Sequence, residues 1–313
     1  QKTAYEIYQC DWSSDVCSSD LPRPDSLSAL LFARMTKQPY DEQALKTQTT
    51  EAVAATVRTQ MEMGIDIVSD GEQSKTSFQL YATERVGGIE PITPPLGEYR
   101  TRENMAFPKF YVGGSHSGSQ RSRWACTGPL TYANLEPLKR DLENLKAALK
   151  GVDPVDVFMP SVSPSSCAGT MENRYYKSDE EHVEAVAEIM RVEYETIVNA
   201  GFCVQIDDPR LAMHYMLAPD ESVEDARKWA ARRIEILNHA LRNVPEDRVR
   251  HHTCYGINMG PRTSDMEMKH LADLVVKIKA KYYSFEMANP RHEHEWRVWQ
   301  NVKLPDGKVL MPG

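Results

Sequence analysis

The chain has 313 residues, 41% of them hydrophobic and 26% charged, and carries a formal net charge of -8. Such a composition belongs to an ordinary globular enzyme of one or two domains, and the acidic balance excludes nonspecific nucleic-acid binding, which needs a basic surface. No apolar run approaches the roughly 18 residues of a membrane span, and six cysteines in this length do not make a disulfide scaffold, so a reduced, cytoplasmic protein is expected.

Residues 1–20 lack a helical or strand period and lack the charged-then-apolar pattern of a signal peptide. They read as a non-native or disordered tail, which removes Cys10 and Cys17 from the ligand candidates. Residues 42–63 place Leu45, Val53, Val57 and Met61 at helical spacing, and Gly64 supplies a stop. A strand, Ile65 to Val68, follows and ends in Ser69-Asp70-Gly71-Glu72. Residues 85–122 read as a long excursion. A strand at 124–130 and a helix at about 133–150 follow it. The strand Val155–Met159 then ends near Ser163.

Ser178 with Glu181 is a capping box. It opens a helix whose apolar face is Val183, Val186, Ala187, Met190, Tyr194 and Ile197, and Gly201 closes it. The strand Phe202–Ile206 ends in Asp207-Asp208-Pro209. A helix of about 222–243 precedes the strand VRHHTCYG. Ser264 with Glu267 reads as a second capping box, opening a helix to about 280. The strand of YYSFEMANP, a short helix and Lys308–Met311 complete the pattern.

These strands are continuous apolar runs, as parallel strands buried on both faces are. Repeated βα units with polar strand ends predict an α/β fold of the (β/α)8 TIM-barrel type. In that fold the C-terminal strand ends carry the active site, where Glu72, Ser163, Asp207, His252, Cys254 and Glu286 would converge. A doubly wound open sheet is the alternative. It is disfavoured because no glycine-rich phosphate loop follows a first strand.

His252 and Cys254 are two residues apart on a strand and therefore share a face. Imidazole and thiolate are zinc-ligand chemistry, and Glu286 at the next strand end is the third candidate. His251 points to the opposite face. Asp207-Asp208 can hold an ammonium group or work as acid and base, while a turn before Pro209 explains one of the two equally well. His292 and His294 are too close in sequence to share a helical face, so that run reads as mainly structural. His182, His214, His239 and His270 read as structural, and Cys126, Cys167 and Cys203 as weak ligand candidates.

The stretches LPRPDSL, GIDIVSDGE, CTGPLTY, VQIDDP, HHTCYG and FEMANPRHEHEW resemble the catalytic barrel of cobalamin-independent methionine synthase, above all its short single-domain relatives. They run through residues 21–313 in that family's order. The resemblance implies a (β/α)8 barrel over 21–313 with a catalytic Zn²⁺ held by His252, Cys254 and Glu286. It implies methyl transfer from 5-methyltetrahydrofolate, in its polyglutamate form, to the thiol of homocysteine, giving methionine. Asp207 and Glu72 then match residues that hold homocysteine. Pro22-Arg23-Pro24 matches the end of the first strand, and with Ser163 completes the substrate-binding candidates. The family's remaining zinc ligand is a Cys on a strand beyond residue 313, so the barrel is expected to be incomplete at its C-terminus. Asp208 stands where the methionine synthases have Glu. That leaves two alternatives: a related zinc-dependent alkyltransferase acting on another thiol such as coenzyme M, or an inactive fragment.

Overall fold

The computed structural model describes residues 21–92, 100–111, 124–256, 260–288 and 290–313. The tail of residues 1–20, with Cys10 and Cys17, lies outside the described residues. The described chain opens with two helices, α1 (Asp25–Met35) and α2 (Glu42–Glu62). Asp41 caps α2 by accepting the Ala44 N–H at 2.9 Å, and Gly64 turns the chain away at a φ of 79°. That left-handed conformation is open to glycine without steric cost. The strand β1 (Ile67–Ser69) follows, then β2 (Val86–Pro91), α3 (Arg102–Ala106), β3 (Trp124–Tyr132), α4 (Glu136–Ala148) and β4 (Asp156–Val162). The second half contains α5 (Pro164–Ala168), β5 (Met171–Asn173), α6 (Asp179–Asn199), β6 (Cys203–Asp207), α7 (Pro209–Leu217) and α8 (Val223–Ala240). It ends with β7 (Val249–Thr253), α9 (Ala272–Val275), β8 (Tyr282–Phe285), α10 (Trp296–Trp299) and β9 (Val309–Pro312).

Six strands form one parallel sheet in the order β1-β4-β6-β7-β8-β9. Each strand from β4 to β8 is buried along nearly its whole length. This matches the expectation of parallel strands buried on both faces, although β7, VRHHT, is buried without being apolar. The predicted helical face of α6 is buried from Val183 to Ile197, and it packs with α8 on the outside of the sheet. The sheet curls, because Ile67 in β1 and Met311 in β9 line one cleft of about 920 Å³ together with Phe158 and Arg250. The fold is thus α/β with a curled, half-barrel parallel sheet.

Two expectations are corrected. The 124–130 strand is not a member of the main sheet. It pairs antiparallel with β2 and parallel with β5 in a separate three-stranded sheet. The reason lies in the 85–122 excursion, which returns as a strand able to pair with it. The second correction concerns Ser264 and Glu267, which open no long helix. The Ser264 N–H is taken by the buried Glu103 carboxylate at 2.7 Å, and the Met268 N–H by Glu295 at 2.6 Å. Only a short 3₁₀ turn at Met268–His270 and α9 form there. The Ser264 N–H, which the Glu267 side chain would take in a capping box, is instead held by a side chain distant in sequence.

Candidate active site

Side-chain alternation puts Gln205 and Asp207 of β6, Arg250 and His252 of β7, and Ser284 of β8 on one face of the sheet. All five are buried. A buried sheet face this polar is unusual, since polar side chains are normally kept in water unless they find partners. Asp207 Oδ1 accepts from Gln205 Nε2 at 3.0 Å and lies 3.0 Å from His252 Nδ1. His252 Nδ1–H therefore donates to the carboxylate, which fixes the tautomer and leaves Nε2 as a lone-pair donor. Nε2 is buried and has no hydrogen-bond partner among the described residues.

Cys254 follows directly on β7, and its thiol accepts from the Gly256 N–H at 3.1 Å. Glu286 follows directly on β8, and its Oε1 accepts from the Tyr255 N–H at 3.1 Å. Both side chains are buried. The Tyr255–Gly256 turn thus ties the ends of the two strands together. Behind it, Tyr255 OH donates to Glu295 Oε2 at 3.1 Å, and the Tyr255 ring stacks on His292 at 3.6 Å between centroids. His292 Nδ1 also lies 3.0 Å from Glu295 Oε2, and its Nε2 lies 3.4 Å from Asp265. Burial works against a charged His292, but hydrogen bonds to Asp265 and Glu295 outweigh it and hold its pKa above the ordinary value. These contacts agree with the reading of the run as mainly structural.

The two neighbouring aspartates separate. Asp207 joins His252. Asp208 accepts from Ser163 Oγ at 2.8 Å, and its Oδ2 stands 3.9 Å from His251 Nε2. The Asp208 side chain makes no cap to α7, although Asp208 is its N-cap residue. Ser163 caps α5 by accepting the Ser166 N–H at 3.1 Å, so its hydroxyl is engaged with Asp208 and α5. Glu72 is buried at the end of β1 with a φ of 54°. A non-glycine residue there stores strain, of the kind that clusters at functional sites. Lys75 Nζ stands 3.7 Å from Glu72 Oε2 and donates to the Pro160 carbonyl at 2.6 Å. Arg23 donates to the Glu72 carbonyl at 2.8 Å and lines the cleft at the sheet edge. That cleft is not lined by Glu72, Asp207, His252, Cys254 or Glu286.

Sequence reasoning passed over Lys75, Gln205, Arg262 and Asp265, and did not join His292 and Glu295 to the last two. Lys75 stands three residues after Glu72, which was its one legible signal. The others are joined only by tertiary contact. Cys203 lies at the far end of β6 against Asp156 at 3.3 Å, and Cys167 is fully buried with its thiol pushed up to about 12 by burial and by Glu193. Neither approaches His252 through any described bond. His214 stacks on Trp229 at 3.8 Å and pairs with Glu221 at 2.9 Å, as its structural reading expected.

Whether zinc fits can be judged on these atoms. An oriented imidazole with an orphaned Nε2, a buried thiol and a buried carboxylate at adjoining strand ends are zinc donors by type. The Asp207–His252 bond is the outer-sphere support such a ligand needs. Among the described residues, however, no three His, Cys, Asp or Glu side chains close around one point. The donors are gathered at neighbouring strand ends without being drawn together.

The class defined so far is a parallel α/β fold with a buried imidazole, thiol and carboxylate at the C-terminal edge of its sheet. No protein-family model matches the chain. It is 26% identical over 211 residues to a methionine synthase of Sulfolobus acidocaldarius, covering 66% of this chain and 51% of that protein. It is 25% identical over 240 residues to the methionine synthase of Thermococcus kodakarensis, covering 76% and 58%. The match thus spans between half and three-fifths of these curated relatives. A B12-independent methionine synthase from Shewanella sp. W3-18-1, solved in complex with selenomethionine, superposes with a TM-score of 0.65 at 20% identity, covering 94% of this chain and 77% of that one. A putative vitamin-B12-independent methionine synthase from Listeria monocytogenes gives 0.62 at 17% identity, covering 97% and 80%. The resemblance to cobalamin-independent methionine synthases read from the motifs is borne out by these relatives.

Proposed function

We propose that this chain carries the site of a zinc-dependent methyltransferase. It would move a methyl group from 5-methyltetrahydrofolate polyglutamate to the sulfur of homocysteine. The observation that carries the reading is the His252 imidazole, held by Asp207 through Nδ1 and presenting an unpartnered, buried Nε2, with Cys254 just past the end of the same strand and Glu286 just past the end of the next, both buried. The methionine-synthase names of the relatives support the reaction class. The selenomethionine bound by the Shewanella protein is chemically akin to the product. With this reading go a (β/α)8 barrel over residues 21–313 preceded by a tail at 1–20, and a cytoplasmic location.

His252, Cys254 and Glu286 would hold the zinc ion. When bound, zinc supplies a thiol kept as thiolate at neutral pH, which is the nucleophilic form. Asp207 keeps the imidazole in one tautomer and one orientation. Glu72, on its strained turn, would accept from the substrate ammonium, and the backbone around Arg23 bounds the same end of β1. Their work is orientation, which lowers the barrier by converting an encounter into a fixed approach. The sulfur takes the methyl carbon, and the donor nitrogen leaves with the bond's electron pair and gains a proton.

Metal analysis tests the proposal. The purified chain should take up about one zinc per molecule, and Cys254→Ser should lose it. Equal zinc in both, or none in either, would sink the reading. Product analysis with homocysteine against coenzyme M then separates a methionine synthase from an alkyltransferase acting on another thiol.

A further inference from the structure

Two arginines and two histidines, the latter held toward the neutral form by burial, lie in the helical layer outside the sheet, away from the His252–Cys254 group. The connection 218–222 folds α7 and α8 into a helical hairpin. His214 of α7 stacks on Trp229 of α8, 3.8 Å between centroids and 2° from parallel. One turn back from His214 is Arg210, and one turn on from Trp229 is Arg233. Residues four apart share a helical face, and the antiparallel register places Arg210 opposite Arg233. The Arg233 guanidinium also lies 5.2 Å from the Trp229 ring. A Cβ built on Gly169, just past α5, would stand 3.4 Å from the Arg210 guanidinium carbon. His182 in the first turn of α6 completes the group from the next helix.

Two facing guanidiniums repel unless an anion lies between them. Among the described residues neither Arg210 nor Arg233 makes a hydrogen bond or an ion pair. Arg210 Nε, Arg233 Nη1, His182 Nε2 and His214 Nδ1 are all buried and unpartnered. His182 is 3% exposed. The carboxylates nearby, Glu180 and Asp179, act on Arg233 through space without binding it. Glu180 is held by Arg232 and Glu221 by His214, while Asp179 forms no ion pair among the described residues. Burial pulls the Arg233 pKa down; Glu180 and Asp179 pull it back only in part, and the charge of Arg210 adds to the fall. The Arg210 and Arg233 N–H groups are donors, and unpaired buried donors cost free energy, so an acceptor that reached them would relieve that cost.

We infer that Arg210, Arg233 and His182 form an oxyanion-binding site in the α6–α7–α8 layer, taking a phosphate or a carboxylate group from solution. The two sources share the same recognition: planar guanidinium forks that bind oxygen pairs.

Thermal unfolding of the full chain in phosphate, in glutarate and in chloride at matched ionic strength tests this. Phosphate, glutarate or both should raise the Tm of the wild type above the chloride value, and the responding anion identifies the source. Arg233→Gln should weaken that anion roughly tenfold or more, the scale of a lost hydrogen bond to a charged group. In chloride the same variant should unfold no lower than the wild type, because it removes a repulsion. Arg233→Lys keeps the charge and should retain part of the response, which guards against misreading a folding defect. The inference is overturned if neither anion stabilises the wild type beyond chloride, or if both variants respond as the wild type does.

Discussion

At residue scale the site turns on one carboxylate oxygen. Asp207 Oδ1 serves both Gln205 and His252, so the imidazole is oriented before any ligand arrives. Asp207→Asn keeps the shape but offers the ring an amide in place of a charge. On the proposed reading it should weaken zinc binding by about 10- to 100-fold, measured by competition with a chelator. Unchanged affinity would mean that His252 is oriented by its packing alone. Gly256 makes a second prediction. Its φ is 73°, and a Cβ there would meet the Met213 sulfur at 2.6 Å. Gly256→Ala should destabilise the chain by about 1 to 3 kcal/mol, read by urea unfolding, and should shift the Gly256 N–H away from the Cys254 sulfur.

At element scale the helices show how far local rules reach. Ser178 accepts the Glu181 N–H at 3.1 Å, as the capping signal predicted. The return bond goes one residue further out, from the Lys177 N–H to Glu181 Oε2 at 3.1 Å. Ser178→Ala should lower stability by about 1 kcal/mol, and a null shift in the unfolding midpoint would show that tertiary packing alone starts α6. The Ser264–Glu267 signal failed for a legible reason. A capping side chain competes with every other acceptor in reach, and Glu103, from elsewhere in the chain, holds the Ser264 amide that Glu267 would have taken. The strand at 124–130 was read correctly as a strand and wrongly as a stave, because β propensity does not name a pairing partner.

At the scale of the whole molecule, a buried charge group joins the small sheet to the large one. Arg85 pairs with Asp141 at 2.7 Å and with Glu193 at 3.1 Å, and Glu193 also accepts from Tyr81 and Tyr132 at 2.6 Å each. Burial pushes the Glu193 carboxyl up, but Arg85 and the two hydroxyls outweigh it and hold it below the ordinary 4.5. A depressed carboxyl stabilises the fold above its unfolded pKa and loses that contribution as pH falls through its folded pKa. Glu193→Gln should therefore cost about 3 to 5 kcal/mol near neutrality, since it breaks a buried pair. The gap to the wild type should narrow as pH drops below about 4.5. Denaturant unfolding across pH checks both, and a pH-independent gap would refute the charge account.

The sequence by itself determined the α/β class, the order of most elements, and the positions of Asp207, His252, Cys254 and Glu286 at the ends of neighbouring strands. Periodicity and burial are local properties, carried by residues two to four apart. Only the tertiary structure decided that Asp207 turns to His252 while Asp208 turns to Ser163, that β3 leaves the main sheet, and that His214 stacks on Trp229. These are choices among partners far apart in the chain, and hydrogen bonds and charges select by distance in space, which a sequence does not contain.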